Sequence, residues 1–172
     1  MHTCPNCTNK LSNIGAGAQF VQCAKCASIL ELADTVTLLT DRPVSTPIQW
    51  AAHCVLPDGT RFVSDGQILL AASYTGTAEP LPGKALPVET FQRLLNWNVK
   101  SNFGIEHLLE DPARGNYYAP FDVLLNGKYI KYLTSLRYKQ KLSFHVNAPL
   151  EPIVLVDGGK KIGVLMPMKP PK

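Results

Sequence analysis

The chain has 172 residues, of which 45% are hydrophobic and 17% charged, a composition that folds around a core and excludes a disordered chain. The net charge of +4 is too small to establish a polyanionic partner by itself. No apolar run reaches the roughly 18–20 residues of a membrane helix, and the N-terminal MHTCPNC does not resemble a secretory signal, so we expect no membrane association.

Four cysteines near the N-terminus form two CxxC pairs, and fifteen residues separate Cys4 and Cys7 from Cys23 and Cys26. Each CxxC turn can place two sulfurs on one ion, and two such knuckles complete the tetrahedral thiolate shell that zinc favours. Because protein ligands fill all four positions, we expect a structural zinc ion and not a catalytic one. Free or redox-active thiols and an iron–sulfur cluster are the alternatives. Thiols in this pattern also suit a reducing compartment, so we expect a cytoplasmic protein.

The segment around these cysteines, CPNC…QFVQCAKCASILEL, resembles the zinc-ribbon family over residues 1–33. The resemblance implies one knuckle on each of two hairpins. Such a module is too small to form a core alone, so zinc should supply much of its folding free energy, on the order of 10 kcal/mol. Residues 34–47 follow as a predicted linker, because they contain two prolines and show no strong period.

The next part of the chain predicts three strands and a helix. Strands are expected at 53–56, 61–64 and 67–74, since Asp-Gly turns separate them. A helix is expected over 87–99, where a proline suits the first turn.

A fifth cysteine, Cys54, lies in the first of these strands beside His53. Adjacent strand residues point to opposite faces, so a buried and inert Cys54 is favoured over a Cys–His nucleophilic pair.

In the second half of the chain, a short helix is expected at 105–110. The elements expected after it follow the order strand, helix, strand, strand, strand: a strand at 121–125, a helix at 127–136 capped by Asn126, and strands at 142–146, 152–157 and 161–166. Residues 169–172 are rich in proline and predict a flexible tail. We therefore expect an α+β fold: a zinc ribbon followed, over 48–168, by a domain of antiparallel sheet with two main helices.

The predicted helix at 127–136 and the residues after it are strongly basic. The candidate phosphate-contacting residues are Lys128, Lys131, Arg137, Lys139 and Lys141. Tyr129, Leu133 and Leu136 lie at helical spacing and should face the core, whereas Lys128, Lys131 and Ser135 should lie on another face. A cationic stripe suits phosphates. An ordinary solvated helix face is the alternative.

Two segments resemble the bacterial DNA sliding clamp, the ring that tethers polymerase to DNA. The first is PDGTRFVSDGQILLAASYTG…LPGKALPVETFQRLL, and the second comprises FDVLLNGKYIKYLTSL and LEPIVLVDGGKKIGVLMPMK. The resemblance implies a clamp-like domain without enzymatic activity, acting in processivity or as a replication or transcription accessory factor. It also implies that the five basic residues named above face the backbone of duplex DNA without reading sequence.

The same resemblance implies a homo-oligomeric ring and a groove for replication or transcription proteins. The groove residues would be Val164, Leu165, Met166 and Met168, for which sheet core is the alternative. A standard clamp chain has three domains and no zinc ribbon, so this sequence departs from that pattern.

Two other classes of function remain open. The first is a protein-binding adaptor or inhibitor that targets a replication or defence complex. The second is an enzyme, which is disfavoured because the sequence has no phosphate-binding glycine loop, no paired metal carboxylates and no nucleophile motif.

Overall fold

The fold is mixed α+β, with a body made mostly of sheet, and this confirms the expected fold class at that level. The computed structural model describes residues 3–5, 7–11, 20–26, 29–32, 36–38, 48–77, 80–96, 101–136 and 138–169. Three α-helices lie within these ranges, and none of them has the length and apolar content that crossing a membrane would require.

The chain forms two compact units. The first comprises Met1–Gly66, Leu70–Leu86 and Ser135–Arg137, and the second comprises Gln67–Leu69, Pro87–Thr134 and Tyr138–Lys172. The domain boundaries expected from the sequence (1–33, 34–47, 48–168 and 169–172) remain predictions. Most of the predicted linker and residues 170–172 of the predicted tail lie outside the described residues.

The first unit contains a small antiparallel sheet and a second group of short strands. Its elements are β1 (Phe20–Gln22), β2 (Ile29–Leu32), β3 (Val36–Leu38), β4 (Ala52–Val55), β5 (Arg61–Ser64), the end of β6 (Ile68–Ala71), α1 (Ala72–Thr75) and β7 (Lys84–Ala85). The small sheet has the order β1-β2-β3. β4 pairs antiparallel with β5 and parallel with β7.

The second unit contains two antiparallel sheets. Its elements are α2 (Val88–Leu95), β8 (Ser101–Gly104), a 3-10 turn (Ile105–His107), β9 (Leu109–Glu110), β10 (Tyr117–Ala119), β11 (Val123–Leu125), α3 (Gly127–Ser135), β12 (Leu142–Val146), β13 (Ile153–Asp157) and β14 (Lys160–Leu165). The strand orders are β11-β10-β9 and β14-β13-β12-β8.

An aromatic pair lies in the core of the second unit. Phe144 of β12 is opposite Phe103 of β8 in the strand register, and both side chains are buried. Their rings stack with centroids 5.1 Å apart. Alternate residues of β12 are buried, as the expected strand at 142–146 requires, and all five residues of β13 are buried.

The predicted helix at 127–136 is confirmed by α3. Asn126 begins it as expected, because its side-chain oxygen accepts a hydrogen bond from the Lys128 N–H at 2.9 Å. Gly127 is needed next, since a Cβ there would overlap the carbonyl oxygen of Gly115. The Asn116 side chain accepts the Gly127 N–H at 3.2 Å, so the start of the helix is fixed to the preceding loop.

The prediction of one strand over 67–74 was wrong in its second half. The strand ends at Ala71, and the short helix α1 follows. Its end is set by Gly76, which takes a left-handed conformation with φ 67° and donates its N–H to the carbonyl of Ala72. A short apolar run does not distinguish a strand from a helical turn, which explains the error.

Candidate metal centre and basic helix

The sulfur atoms of the four N-terminal cysteines form one cluster. The Sγ atoms of Cys4, Cys7, Cys23 and Cys26 all lie within 4.8 Å of one another. The sulfurs of Cys4 and Cys26 are 3.6 Å apart, as are those of Cys7 and Cys23. Four thiolates at the usual zinc–sulfur distance around a tetrahedral ion would be about 3.8 Å apart, so this donor set fits zinc. None of the chain's five cysteines is in a disulfide.

The first CxxC pair lies in a tight turn held by its own backbone. Cys4 donates its N–H to the carbonyl of Asn9, and its carbonyl accepts the N–H of Thr8, both at 2.9 Å. Thr8 takes a left-handed conformation with φ 58°, which is rare for a β-branched residue. The Thr8 hydroxyl donates to the Cys7 carbonyl at 2.7 Å. This local geometry presents both sulfurs to the same side.

Without metal, the pKa of the Cys7 thiol is raised above its ordinary value. A hydrogen bond from the Asn9 backbone N–H lowers its pKa, but desolvation and the neighbouring thiols of Cys23 and Cys26 raise it more, and the net pKa is raised. Zinc binds thiolates, so metal binding here must displace protons and should weaken as the pH falls.

Few apolar side chains support this centre within its described residues. Leu11, Val21 and Leu30 are buried together with Cys4 and Cys23. The helix α1 also contacts β1. Three buried aliphatic side chains contribute about 5–9 kcal/mol of hydrophobic stabilisation, which is less than the conformational entropy that ordering this segment costs, so the metal must supply much of the free energy that folds it.

We expect Thr8→Val to lower zinc affinity about fivefold. Valine keeps the branched side chain in the left-handed conformation but removes the hydroxyl that bonds Cys7, a loss of about 1 kcal/mol. Thr8→Gly is the matched control, because glycine loses the same hydrogen bond but relieves the backbone strain. Competition titration with a chromophoric chelator measures the zinc affinity of each variant. Equal affinities for the valine and glycine variants would contradict a strained position at Thr8.

The helix α3 is amphipathic in the way the sequence predicts, with one exception. Tyr129, Leu133 and Leu136 are buried, as expected, and Lys128 and Lys131 are exposed. Ser135, which was expected on the exposed face, is only 3% exposed, so that prediction was wrong. The helix ends at Ser135 and buried Leu136 follows directly, so both residues at this end of the helix are buried.

Two further candidate lysines lie between α3 and β12, and both are exposed. The backbone N–H of Lys139 and that of Gln140 each donate at 3.0 Å to the carboxylate of Asp157. Asp157 is buried at the end of β13, so it fixes the backbone of this segment. Arg137 lies outside the described residues.

Lys141 forms an ion pair with an acidic side chain. Its Nζ donates to Oε1 of Glu106 at 2.7 Å. The hydrogen bond and charge of Lys141 lower the pKa of Glu106. A phosphate would therefore compete with a carboxylate for this ammonium group.

The candidate partner-binding residues lie in and after β14. Val164 and Leu165 are buried within the strand, Met166 is 37% exposed and Met168 is partly buried. Met168 donates its N–H to the carbonyl of Leu124 at 2.8 Å, so the chain after β14 pairs with β11. The groove itself remains a prediction, and Met166 is the member whose side chain a partner could contact most readily.

The structure exposes three large apolar side chains on β9, β10 and the turn after β10, which the sequence did not indicate. Leu109 and Tyr118 lie directly opposite each other on β9 and β10 and are 71% and 48% exposed. Phe121, at the tip of the β10–β11 hairpin, is 49% exposed. Phe121 and Asp122 both have positive φ angles although neither is glycine, so no Asn-Gly signal marks this turn.

The fifth cysteine lies in the core, as predicted. Cys54 is 1% exposed, and the Nδ1 atom of the adjacent His53 is hydrogen-bonded to the carbonyl of Pro82 at 2.9 Å. The imidazole is thus held by the backbone.

Comparison of this chain with models of protein families, with curated proteins and with solved structures finds no match. Inference about function therefore depends on the residues and their geometry.

Proposed function

We propose that this chain is a non-enzymatic, DNA-associated protein in which a zinc ribbon precedes a clamp-like domain. The observation that carries the proposal is the pair Lys128 and Lys131, which lie one turn apart on the exposed side of α3. The opposite side of the helix is buried, so the direction of both lysines is set by the core.

A structural role for the metal follows from its donor set. Cys4, Cys7, Cys23 and Cys26 would all be ligands of one zinc ion, which leaves no coordination position for water or substrate. When bound, zinc would join two chain segments that share only a small apolar core. Its role in this proposal is to order the ribbon.

The order of elements in the second unit supports a clamp-like domain. The series β11, α3, β12, β13 and β14 is a strand, a helix and three strands, which is the unit that sliding clamps repeat. In the proposed role, α3 faces the DNA and its lysines contact phosphates without reading bases. Assembly of several copies into a ring, in replication or transcription, belongs to the same proposal.

The phosphate contacts would be unequal. Lys128 and Lys131 project from a rigid helix, and the backbone of Lys139 is fixed by Asp157. Lys141 would have to leave Glu106 before it could contact a phosphate. We therefore assign the main phosphate contacts to Lys128, Lys131 and Lys139.

The double variant Lys128→Gln/Lys131→Gln should weaken binding to duplex DNA of arbitrary sequence. Each lost phosphate contact reduces the slope of log affinity against log salt by about 0.9, so the slope should fall by roughly 1.8. Fluorescence anisotropy at several salt concentrations measures the slope.

The matched control is Lys84→Gln/Lys160→Gln, which removes the same charge from two exposed lysines that do not belong to α3. Its slope should stay close to that of the unmodified chain. Equal losses in the two double variants, or no DNA binding at low salt, would refute the proposed contact surface.

A protein-binding adaptor or inhibitor of a replication or defence complex is the second candidate. The exposed side chains of Leu109, Tyr118 and Phe121 favour it, because large apolar groups at a surface are typical of protein interfaces. A partner that copurifies after nuclease treatment and is lost with Leu109→Asp would support this function over DNA binding.

A further inference from the structure

The ion pair between Glu106 and Lys141 lies where the end of β8 leaves room for it. Gly104, the last residue of β8, has an extended backbone with φ −97° and ψ 175°, and it is opposite Ser143 of β12 in the strand register. A Cβ at Gly104 would overlap the carboxylate of Glu106, which is the nearest group that it would meet. The carboxylate therefore lies directly over the end of the strand, in space that the missing side chain leaves open.

Nitrogen atoms of neighbouring groups approach the Glu106 carboxylate in this position. Nζ of Lys141 donates to Oε1 at 2.7 Å, and Nε2 of His107 lies 3.7 Å from the same oxygen. The backbone N–H of Glu106 also donates to its own side chain. These interactions, of which the hydrogen bond from Lys141 is the largest, lower the pKa of Glu106, so its carboxylate is ionised at neutral pH.

We infer that Glu106 limits how many lysines contact DNA, because its carboxylate, placed over Gly104, withholds Lys141 from the phosphates. The inference rests on the proposed DNA-associated function and adds to it a residue that opposes binding. A carboxylate oxygen occupies the ammonium group in the way that a phosphate oxygen would. Lys141 therefore becomes an additional phosphate contact only when that carboxylate is removed or displaced.

Lys141 is close enough to an assigned phosphate contact for this limit to affect binding. It lies two residues after Lys139, a separation of at most about 7 Å along the backbone. The backbone of Lys139 is itself fixed by Asp157. A duplex bound at Lys139 would thus bring phosphates within reach of the Lys141 side chain. Because each lysine that neutralises a phosphate releases counterions, freeing Lys141 should increase the salt dependence of binding.

Two variants should free Lys141 by different routes. Glu106→Gln keeps the shape of the side chain but removes its charge. Gly104→Ala keeps the charge but places a methyl group where the carboxylate lies, and the extended backbone at this position accepts alanine. For duplex DNA of arbitrary sequence, the slope of log affinity against log salt should become steeper by about 0.9 in Glu106→Gln. The change in Gly104→Ala should have the same direction but be smaller, since the displaced carboxylate remains nearby.

The matched control is Glu110→Gln, which removes the same charge from an exposed glutamate of β9. Its slope, measured by fluorescence anisotropy like those of the other variants, should stay close to that of the unmodified chain. Adding Lys141→Gln to Glu106→Gln should abolish the gain, because the gain comes from the ammonium group that Glu106 no longer holds.

Three results would overturn the inference: a gain in Glu106→Gln that Glu110→Gln equals, a gain that survives Lys141→Gln, or an unchanged slope in both Glu106→Gln and Gly104→Ala. An unmodified chain that does not bind duplex DNA even at low salt would instead refute the proposed function. The two failures are therefore distinguishable.

Discussion

Replacement of Cys4 by serine is expected to remove zinc from the chain and to unfold the ribbon. Cys4 is completely buried, and its sulfur lies 3.6 Å from that of Cys26. A serine hydroxyl is a poor ligand for zinc, and a three-cysteine site would bind far more weakly. Structural zinc contributes on the order of 10 kcal/mol to folding in small modules, so its loss should exceed what Leu11, Val21 and Leu30 can supply.

Zinc content after dialysis and amide hydrogen exchange over residues 3–32 measure this effect. Cys54→Ser is the matched control, because Cys54 is equally buried but does not belong to the four-cysteine cluster. The control should retain one zinc per chain, although the buried hydroxyl should cost some stability elsewhere. Full zinc occupancy in Cys4→Ser would contradict the centre, and so would a ribbon that stays equally protected after zinc is removed with a chelator.

Phe144→Ala is expected to destabilise the second unit by about 3–5 kcal/mol, the usual cost of removing a large aromatic side chain from a core. The Phe144 ring is fully buried and stacks on Phe103, and β12 is paired on both sides, with β13 and β8. A cavity at this position would remove contacts from both neighbouring strands. Urea denaturation followed by far-ultraviolet circular dichroism measures the shift.

Phe121→Ala provides a comparison of the same chemical change at a half-exposed ring. The centroid of the Phe121 ring is 6.4 Å from that of Phe103, so Phe121 also belongs to the aromatic cluster. Far less of its surface is buried than that of Phe144, so its removal costs less burial. Its cost should be less than half that of Phe144→Ala. Similar shifts for both variants would show that the cluster does not form the core of this unit.

The sequence predicts best where local chemistry decides the structure. The spacing of Cys4, Cys7, Cys23 and Cys26 is enough to predict their convergence, because a CxxC turn has few ways to present two sulfurs. Asn126 predicts the start of α3 because a side-chain cap acts within three residues. The alternation of apolar and polar residues in β12 matches its buried face, because side chains of successive strand residues point to opposite faces whatever the rest of the chain does.

Features that depend on distant residues could not be predicted in this way. The buried carboxylate of Asp157 and the pairing of Lys141 with Glu106 join positions 17 or more residues apart in sequence. The left-handed conformation of Thr8 was also missed, since glycine is the residue that usually marks such a position. The strand β8 was missed because Ser101 and Asn102 are exposed and polar, and it is the pairing with β12 that makes them a strand.

The carboxylate of Asp157 has a consequence for how quickly a polyanion could be captured. Because it already holds the amides of Lys139 and Gln140, the backbone of these two residues need not be immobilised when a ligand arrives. Ordering a free backbone costs about 1–2 kcal/mol per residue, and here that entropy is lost during folding. In the proposed DNA contact, the backbone of Lys139 should therefore need no slow ordering step after encounter, so electrostatic steering and diffusion should limit its association with a phosphate.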